Sequence, residues 1–582
     1  MIPFARLFAD ELAFLREIGA EFAAANPALA PLLAEEGGDP DVHRLLQSFA
    51  FLHARLGQRL QAGLPDLMQD VLTALAPAFL RPIVPMTTVQ WTPVPRALSR
   101  SEVIKSGTRV LSRLIEGTSC TFKTSYDVEI SPIQLKAVKV DEGVRTSFLT
   151  LKFTTLDGVA VGDLDLQRLR LHLTGAGRAG LASELLRRLL ADVVDYKIII
   201  GDQVAKLGKE KIQQVGYTSA ETLLPVDVSA DNVFRTLQEY LTFPQKFHYV
   251  DIYGLEFLRG KDGEEFELNF RFDRLLDDLP QLDPRNFLLH CTPAVNLFEA
   301  ESDPITVDGS RSEYRLRVQG FTPGHTSISK VPEMWGWVRG DGRRIDFEEF
   351  TTFQHLSTQT GDQKPIFRPR RQTNTSSATS DVLVSFEFEN PDPLLRGCVV
   401  TARLECSNGT LPGLLPPGGL DRSDTDTPNF ATFKNIDAIT RQIEPPLAAG
   451  LSPLLAILSG SAAPVTDLAT LRRTISALEF RVGFDSIAER SLQLKMEALR
   501  DIRSTSFHWL VQGRPVRGQR ITFDISEELL GGQGEAFFLG SVLNAFLGNR
   551  APLNTCFQTE VHCLISGRIF HWPVHLGQKQ TI

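Results

Sequence analysis

The spacing of apolar residues along this chain changes near residue 87. Before it, apolar residues recur every three or four positions, as Leu12, Leu15 and Ile18 do, which is the spacing of an amphipathic helix. From Thr87 onward, apolar residues alternate with polar ones or stand in short β-branched runs divided by proline and glycine. This change predicts an α+β architecture that begins with helices.

The chain has 582 residues, which is more than a single hydrophobic core normally serves, so we expect several domains. Composition shifts and Pro/Gly-rich stretches place the boundaries. The predicted parts are a helical region over residues 1–86, a mixed β-rich domain over 87–300, an antiparallel β sandwich or barrel over 301–406, a linker over 407–430, and an α+β domain over 431–582.

Local signals refine the helical region. After the break at Gly37–Pro40, Asp41 is predicted to cap a second helix, because a short carboxylate can accept from the free amides of a first helical turn. Proline is favoured near the first turn of a helix, so Pro65 predicts that a third helix begins there and runs to Phe79.

Four local predictions concern the rest of the chain. The Ser-, Thr-, Gln- and Pro-rich stretch Ser357–Asp381 predicts a long exposed loop. A strand is expected near Phe480, and glycines 531, 532 and 534 predict a turn before a helix over Phe537–Phe546. A closing hairpin is expected over Phe557–Trp572, with its turn at Ser566 and Gly567.

Charge and composition exclude two classes of partner. The net charge is −9, and the longest basic cluster, Arg368–Arg371, is too short to serve a nucleic-acid phosphate backbone. The uncharged stretch Pro445–Thr466 contains four prolines, which predicts a buried helix flanked by turns and no membrane insertion. Thinly spread cysteines and the lack of an apolar leader at the N-terminus predict a cytoplasmic protein with reduced thiols.

The usual signatures of enzymes are absent from the sequence, which has no phosphate-binding loop, no G-x-S-x-G elbow and no H-E-x-x-H motif. Acidic pairs such as Asp277–Asp278 and Glu348–Glu349 are typical of solvated turns. The best metal candidates lack zinc-finger spacing. These are Cys556, His562, Cys563, His571 and His575. We therefore predict no catalytic residue, no cofactor, no metal site and no enzyme.

Ordered stretches along the chain resemble one protein family, the TssF family of type VI secretion systems, also called VasA or ImpG. Matches that fall in order over nearly the whole length are harder to obtain by chance than a single short motif. They are Glu11–Glu17 (ELAFLRE), Asp39–Leu46 (DPDVHRLL), Leu80–Ile83 (LRPI), Leu169–Leu173 (LRLHL), Glu239–Phe247 (EYLTFPQKF), Val295–Phe298 (VNLF), Thr401–Arg403 (TAR), Gly540–Leu543 (GSVL) and Arg568–Pro573 (RIFHWP).

The resemblance implies a structural role. Proteins of this family are baseplate wedge subunits, similar to wedge proteins of contractile phages. It implies TssG, a second copy of TssF, TssK and TssE as partners, with the spike hub (VgrG) and the sheath contacted indirectly. It also implies a cytoplasmic baseplate docked at the inner-membrane complex, which supports sheath assembly and contraction.

On that reading, the N-terminal helices are the expected TssG-facing surface, because an amphipathic helix that its own domain covers thinly must find another apolar surface. The candidate partner-binding residues are Phe4, Phe8, Leu12, Leu15, Phe49 and Leu56. Periodicity alone leaves open that the same stripe packs inside the domain.

Two other functions stay open at this point. The chain could be the wedge component of another phage-tail-like contractile particle. It could also be a cytosolic hydrolase with an unrecognised site on the β-rich region, which predicts a concave pocket with convergent carboxylates.

Overall fold

A computed structural model describes residues 8–9, 11–15, 18, 40–224, 234–338, 342–350, 365–373, 379–387, 398–447, 450–459, 467–511, 514–551, 553 and 555–577. The chain divides into two compact units: Met1–Leu80 with Pro446–Ala456, and Arg81–Pro445 with Ile457–Ile582. The predicted α+β multidomain class is confirmed. The finer division into five parts stays a prediction.

Eight α-helices have both ends within the described residues. They are α1 Pro40–Leu75, α2 Leu181–Arg187 (continued by a π-helical turn, Arg188–Asp192), α3 Arg235–Thr242, α4 Leu451–Ser459, α5 Leu468–Leu478, α6 Ser486–Ala498, α7 Glu527–Leu530 and α8 Gln533–Arg550. The 3₁₀ helices include Pro77–Leu80, Pro244–Phe247 and Leu411–Leu414.

The described strands number thirty. They are β1 Met86–Pro93, β2 Glu102–Ile104, β3 Arg109–Ile115, β4 Thr118–Thr124, β5 Val128–Ile130, β6 Ile133–Glu142, β7 Ser147–Thr155, β8 Arg168–Leu173, β9 Val193–Ile200, β10 Gln203–Gly208, β11 Ile212–Gln214, β12 Tyr249–Tyr253, β13 Glu265–Phe272, β14 Phe287–Leu289, β15 Cys291–Val295, β16 Phe298–Glu301, β17 Ile305–Val307, β18 Tyr314–Arg315, β19 Ser327–Trp337, β20 Arg344–Glu349, β21 Ile366–Thr373, β22 Ser380–Glu387, β23 Cys398–Ser407, β24 Leu420–Ser423, β25 Ala431–Asn435, β26 Leu499–Val511, β27 Arg514–Ile525, β28 Cys556–Cys563, β29 Ile569–His571 and β30 His575–Leu576.

The first unit is built on one long helix. Helix α1 runs without interruption for 36 residues, so the prediction of a separate helix beginning at Pro65 is wrong. A proline inside a helix removes one hydrogen bond and destabilises the helix by about 3 kcal/mol or more. In a helix of 36 residues the remaining interactions offset this cost. Asp41 lies in the first turn of α1 and is not its N-cap, because the helix already begins at Pro40.

Besides the two-stranded sheet of β2 and β5, three larger sheets of the second unit are built from residues 86–295 and from β24 and β25. Their strand orders are β24-β3-β4-β15-β1-β25, β10-β9-β13-β7-β6 and β11-β12-β8-β14. Strand β13 illustrates the sequence pattern of these sheets. Its residues are alternately buried and partly exposed, and Phe266, Leu268 and Phe270 are on the buried side. Leu411 and Leu420, from the stretch predicted as a linker, pack in the core of the six-stranded sheet.

An eight-stranded sheet is built from residues 298–407, in the order β16-β23-β19-β20-β21-β22-β18, with β17 also paired to β23. A bridge between Ser302 and Val318 joins the segments that follow β16 and β18, so the two ends of the order meet. The Gln319 N–H also donates to the Glu301 carbonyl at 2.9 Å. The sheet is therefore a nearly closed barrel, one of the two forms predicted for this region.

One prediction in the barrel is wrong. Strands β21 and β22 occupy parts of the stretch expected as an exposed loop, and they pair from Ile366↔Glu387 to Thr373↔Ser380. Residues 357–364 and 374–378 of that stretch lie outside the described residues. The Phe367 side chain is buried, so this part of the stretch belongs to the barrel core.

The C-terminal part of the second unit pairs β26-β27-β28-β29, with β30 also on β28, and packs α8 against this sheet. The predicted hairpin is confirmed, because β28 pairs antiparallel with β29 across the turn at Ser566 and Gly567. The prediction of a strand near Phe480 is wrong, because Phe480 lies in the turn between α5 and α6. Helix α8 begins at Gln533, so Gly534 is helical and not part of a preceding turn.

Candidate partner-binding surface

Helix α1 carries a stripe of large apolar side chains that the structure leaves exposed. Leu45, Phe49 and Leu52 are 58%, 57% and 60% exposed. Each residue of an α-helix advances by about 100°, so these three positions lie within about 60° of one another on one face. Further along the helix, Leu67, Val71 and Leu75 are also exposed, and they too are spaced by four residues.

The buried residues on the opposite side of α1 are small ones near the start of the helix. Ala50 and Ala54 are 0% and 3% exposed, at about 140° and 180° from Leu45 around the helix. Leu72 and Ala76 continue the buried side beyond the middle of the helix. Near its start the helix therefore buries alanines and exposes leucine and phenylalanine, the reverse of what an isolated soluble unit favours. We call the outward residues Leu45, Phe49, Leu52, Leu67, Val71 and Leu75 the α1 stripe.

The structure distributes the six predicted partner-binding residues as follows. Phe49 lies on the α1 stripe, and Leu56 lies on α1 four residues after Leu52. Phe8, Leu12 and Leu15 lie at helical positions and are partly exposed, while Phe4 lies outside the described residues. Their role in binding stays a prediction.

Most residues of the α1 stripe were not among the predicted partner-binding residues. Leu45 and Leu52 have the same three- and four-residue spacing to Phe49 that marked the helix, so the signal for them was present. Leu67, Val71 and Leu75 were assigned to a separate helix at Pro65, and this hid their continuity with the earlier positions.

The second unit contains an open groove of about 1400 Å³. Phe537, Phe570 and Trp572 are among the residues that line it. The ring centroid of Phe537 lies 5.3 Å from that of Phe570 and 5.2 Å from that of Trp572. No Asp or Glu is found among its described lining residues. The convergent carboxylates that a hydrolase would need in such a groove are therefore missing from the described lining.

Two carboxylates do line a second, much smaller cavity. Asp127 and Glu129 face a space of about 20 Å³, which holds about one water molecule. Burial raises the pKa of Glu129, whereas the Ser106 backbone amide and the Lys105 ammonium lower that of Asp127. A cavity of this size has no room for a substrate.

The C-terminal cysteines and histidines are divided among separate environments. Cys563 is buried at the end of β28, while its neighbour His562 is half-buried on the other face, beside Asp524. The Nδ1 atom of His571 lies 3.1 Å from a carboxylate oxygen of Glu560, and the ring of His575 stacks on that of Phe557. Among the described residues, no three His, Cys, Asp or Glu side chains are grouped closely enough to hold a metal ion.

The arginines of the predicted basic cluster all have contacts within the barrel. Arg370 pairs with Glu313 at 2.9 Å, and Arg371 donates to the carbonyls of Ile328 and Ser329 at 2.7 and 2.6 Å. In the parts of the chain that the structure describes, no helix has the length and hydropathy needed to cross a bilayer.

Comparison with known proteins gives consistent matches over the whole chain. A family model described as "Type VI secretion system, TssF" matches residues 3–579. The type VI secretion system component TssF1 of Pseudomonas aeruginosa is 27% identical over an alignment of 621 positions, which covers 98% of each chain.

Two solved structures share the fold. A chain of the TssK-TssF-TssG baseplate subcomplex, determined by cryo-electron microscopy, matches with a TM-score of 0.75 and 23% identity, over 92% of this chain and 99% of that one. A chain of the baseplate complex from the type VI secretion system matches with a TM-score of 0.61 and 21% identity, over 100% of both chains. At these identities the two matches show the fold alone.

Proposed function

This chain belongs to the TssF family of the type VI secretion system, and on that premise we propose that it is a baseplate subunit that binds TssG through the α1 stripe. TssF is a baseplate component of this system, and the two structures that share the fold are baseplate assemblies. The observation that carries the proposed contact is that α1, near its start, buries Ala50 and Ala54 while Leu45, Phe49 and Leu52 are exposed.

The energetics favour a protein partner for the α1 stripe. Burying one leucine, valine or phenylalanine side chain contributes about 1.5–3 kcal/mol relative to leaving it exposed. Six such residues, spaced along 31 positions of one helix, could supply the apolar centre of a stable interface. Leu45, Phe49 and Leu52 lie on one face of α1 and suit a partner helix, because side chains three and four residues apart can interdigitate with those of another helix.

The partner set follows from the family and from the titles of the related structures. TssG and TssK are named with TssF in the cryo-electron microscopy subcomplex, so we propose both as partners. A second copy of TssF, TssE, the spike hub and the sheath are proposed on the family resemblance alone. We also propose a cytoplasmic baseplate docked at the inner-membrane complex.

We propose that the protein is not an enzyme. The family and the related structures are baseplate components, and the described lining of the large groove contains no carboxylate. Its function is then to hold other subunits in position, which depends on interface energy and not on a reacting group.

Co-expression with the TssG and TssK proteins of the same organism tests this proposal. The variant Phe49→Asp places a charge on the α1 stripe and should reduce co-purification of TssG about tenfold or more, as loss of an interface anchor does. Gln47→Asp makes the same change of charge at an exposed position about 160° from Phe49 and should bind normally. If Phe49→Asp aggregates, or if it retains TssG, the stripe is not the TssG surface.

A further inference from the structure

Two sheets of the second unit end at the large groove. Residues 568–573, which include β29, line it on one side, and Gln213 and Gln214 of β11 line it on another. Neighbouring residues of a strand point to opposite faces, so a groove lined by consecutive residues lies against the edge of each strand. Both strands are the last of their sheets, with no described strand on the outer side. The groove therefore borders two open sheet edges, and an open edge can accept a further strand.

Helix α8 gives the groove the length of a short extended peptide. Its lining residues fall within about 140° of the helix circumference and extend along about 18 Å of its axis. Five or six residues of an extended chain, at about 3.3 Å each, have the same length. The volume of about 1400 Å³ exceeds the roughly 300–1,000 Å³ of small-molecule sites, which also favours a peptide. The α8 residues in the lining are Phe537, Ser541, Asn544, Ala545, Gly548 and Asn549.

The charges around the groove favour an acidic ligand. Arg568 and His571 already have acidic partners, Asp192 and Glu560, so these two side chains add no free charge to the lining. Lys209 is exposed and forms no ion pair in the part of the chain that the structure describes. Because no Asp or Glu is found among the described lining residues, a carboxylate in the ligand would meet this lysine and no like charge.

The groove also exposes apolar surface. Ile569 and Leu576 are 47% and 48% exposed, and Trp572, which lies between them in the sequence, is half-buried. Burying such side chains against an apolar ligand group is favourable. Successive side chains of an extended peptide point in opposite directions, so a segment that alternates acidic and apolar residues can satisfy both the lysine and the apolar side.

We propose that this groove binds an extended peptide segment of another protein, in which acidic and apolar residues alternate, by adding it as a strand to the edge of β29. Main-chain hydrogen bonds to the strand edge supply affinity, and the contacts of alternate side chains supply selectivity. The asparagine amides of α8 can add donors and acceptors for the peptide backbone. The inference goes beyond the proposed function, because the groove belongs to the second unit and the α1 stripe to the first.

Fluorescence anisotropy of a labelled peptide made of four Glu-Val repeats, titrated with the purified full-length chain, tests the groove. The expected Kd is about 10–100 μM, because a short peptide loses conformational freedom when it binds. The same peptide methylated at every backbone nitrogen cannot donate to a strand edge and should bind at least about tenfold more weakly. A peptide of four Lys-Val repeats should also bind at least about tenfold more weakly, since it brings like charge to Lys209.

Two variants of the protein locate the binding site. Lys209→Glu reverses the exposed charge at the groove and should weaken binding of the Glu-Val peptide about fivefold. Lys434→Glu makes the same charge reversal at an exposed position of β25 that does not line the groove, and should bind as the wild type does. Ala545→Trp places a large side chain in the groove and should abolish binding. Melting temperatures check that each variant is folded, and the Lys209→Glu comparison stands if Ala545→Trp is not.

Several results would overturn the proposal. They are no binding of the Glu-Val peptide at about 1 mM, equal binding of the methylated or the Lys-Val peptide, and a Lys209→Glu protein that binds as the wild type does. Self-association of the chain that the peptide displaces would assign the groove to a second copy, and would contradict the proposal too. Phe49→Asp should bind the peptide normally, so failure of the groove and failure of the α1 stripe are distinguishable.

Discussion

The carboxylate of Glu239 and the ammonium of Lys246 form an ion pair inside the second unit, where each side chain is 1% exposed. Glu239 lies on α3, and Lys246 lies in the 3₁₀ helix that follows it. The other oxygen of Glu239 accepts from the backbone N–H groups of Leu223 and Leu224 at 2.7 and 3.0 Å. This pair gives a structural reason for the EYLTFPQKF stretch, whose acidic and basic ends meet in the core.

Removing one partner of this pair should destabilise the protein strongly. In Lys246→Met, the Glu239 carboxylate is left buried with only two amide donors, and loss of one partner of a buried pair typically costs 3–5 kcal/mol. Urea unfolding should show this loss. The double variant Glu239→Gln, Lys246→Met removes both charges and keeps an acceptor oxygen for the two amides, so it should recover much of the stability. A double variant no more stable than Lys246→Met would contradict this account.

Gly534 permits a close approach between two helices. A Cβ at this position would lie 2.5 Å from the backbone nitrogen of Glu184, at the start of α2, and backbone atoms cannot move aside as a flexible side chain can. Gly534→Ala should therefore lower the free energy of unfolding by about 1–3 kcal/mol, as overpacking does. Gly413→Ala is the matched control, because its nearest contact would be an ordinary 3.6 Å to the Arg441 side chain. Equal stability of the two variants would refute the packing role of Gly534.

Three buried histidines predict a loss of stability in mild acid. Burial lowers the pKa of His172 to about 3, and the pKa values of His248 and His290 to about 4, from an ordinary value of 6.5. As the pH falls below about 6.5, the unfolded chain takes up protons at these positions while the folded protein does not. Stability should therefore decrease from pH 7 towards pH 4, with a slope of up to about 1.4 kcal/mol per pH unit for each histidine.

His172→Phe tests this pH dependence at one site. The ring of His172 lies 4.3 Å from that of Tyr249 between centroids, and phenylalanine can keep this aromatic contact without titrating. Denaturant unfolding between pH 5 and 7 should show a slope smaller by about one proton. An unchanged slope would mean that His172 is protonated in the folded protein.

Much of the fold could be predicted from the sequence where local patterns and packing agree. The alternating apolar residues of β13 and the turn at Ser566 and Gly567 are strong local signals, and both features are confirmed. Errors arose where tertiary packing overrides local preference. In β21, Pro369 and the polar neighbours indicated a loop. Proline is tolerated there because β20 pairs with β21 only at Ile366 and Phe367, so β22 is the one described partner beside it.

The candidate surface could be predicted only in part. The spacing of Phe49 and Leu56 marked an apolar face of a helix, but periodicity has no means of distinguishing an internal core from a surface that awaits a partner. What separates the two is the burial of Ala50 and Ala54 on the other side of α1, a property of the packed unit. The hydrogen bonds between Glu239 and the backbone of Leu223 could not be predicted either, because no local sequence pattern connects these two residues.

Hydrogen–deuterium exchange of the free chain and of its complex with TssG shows whether TssG binds α1. If α1 is the TssG surface, the amides of Pro40–Leu75 should exchange more slowly in the complex, because helix opening then also requires TssG to dissociate. The Gln47→Asp protein should show the same protection, and the Phe49→Asp protein should show none. Unchanged exchange across Pro40–Leu75 in a saturated complex, with protection elsewhere, would contradict the account.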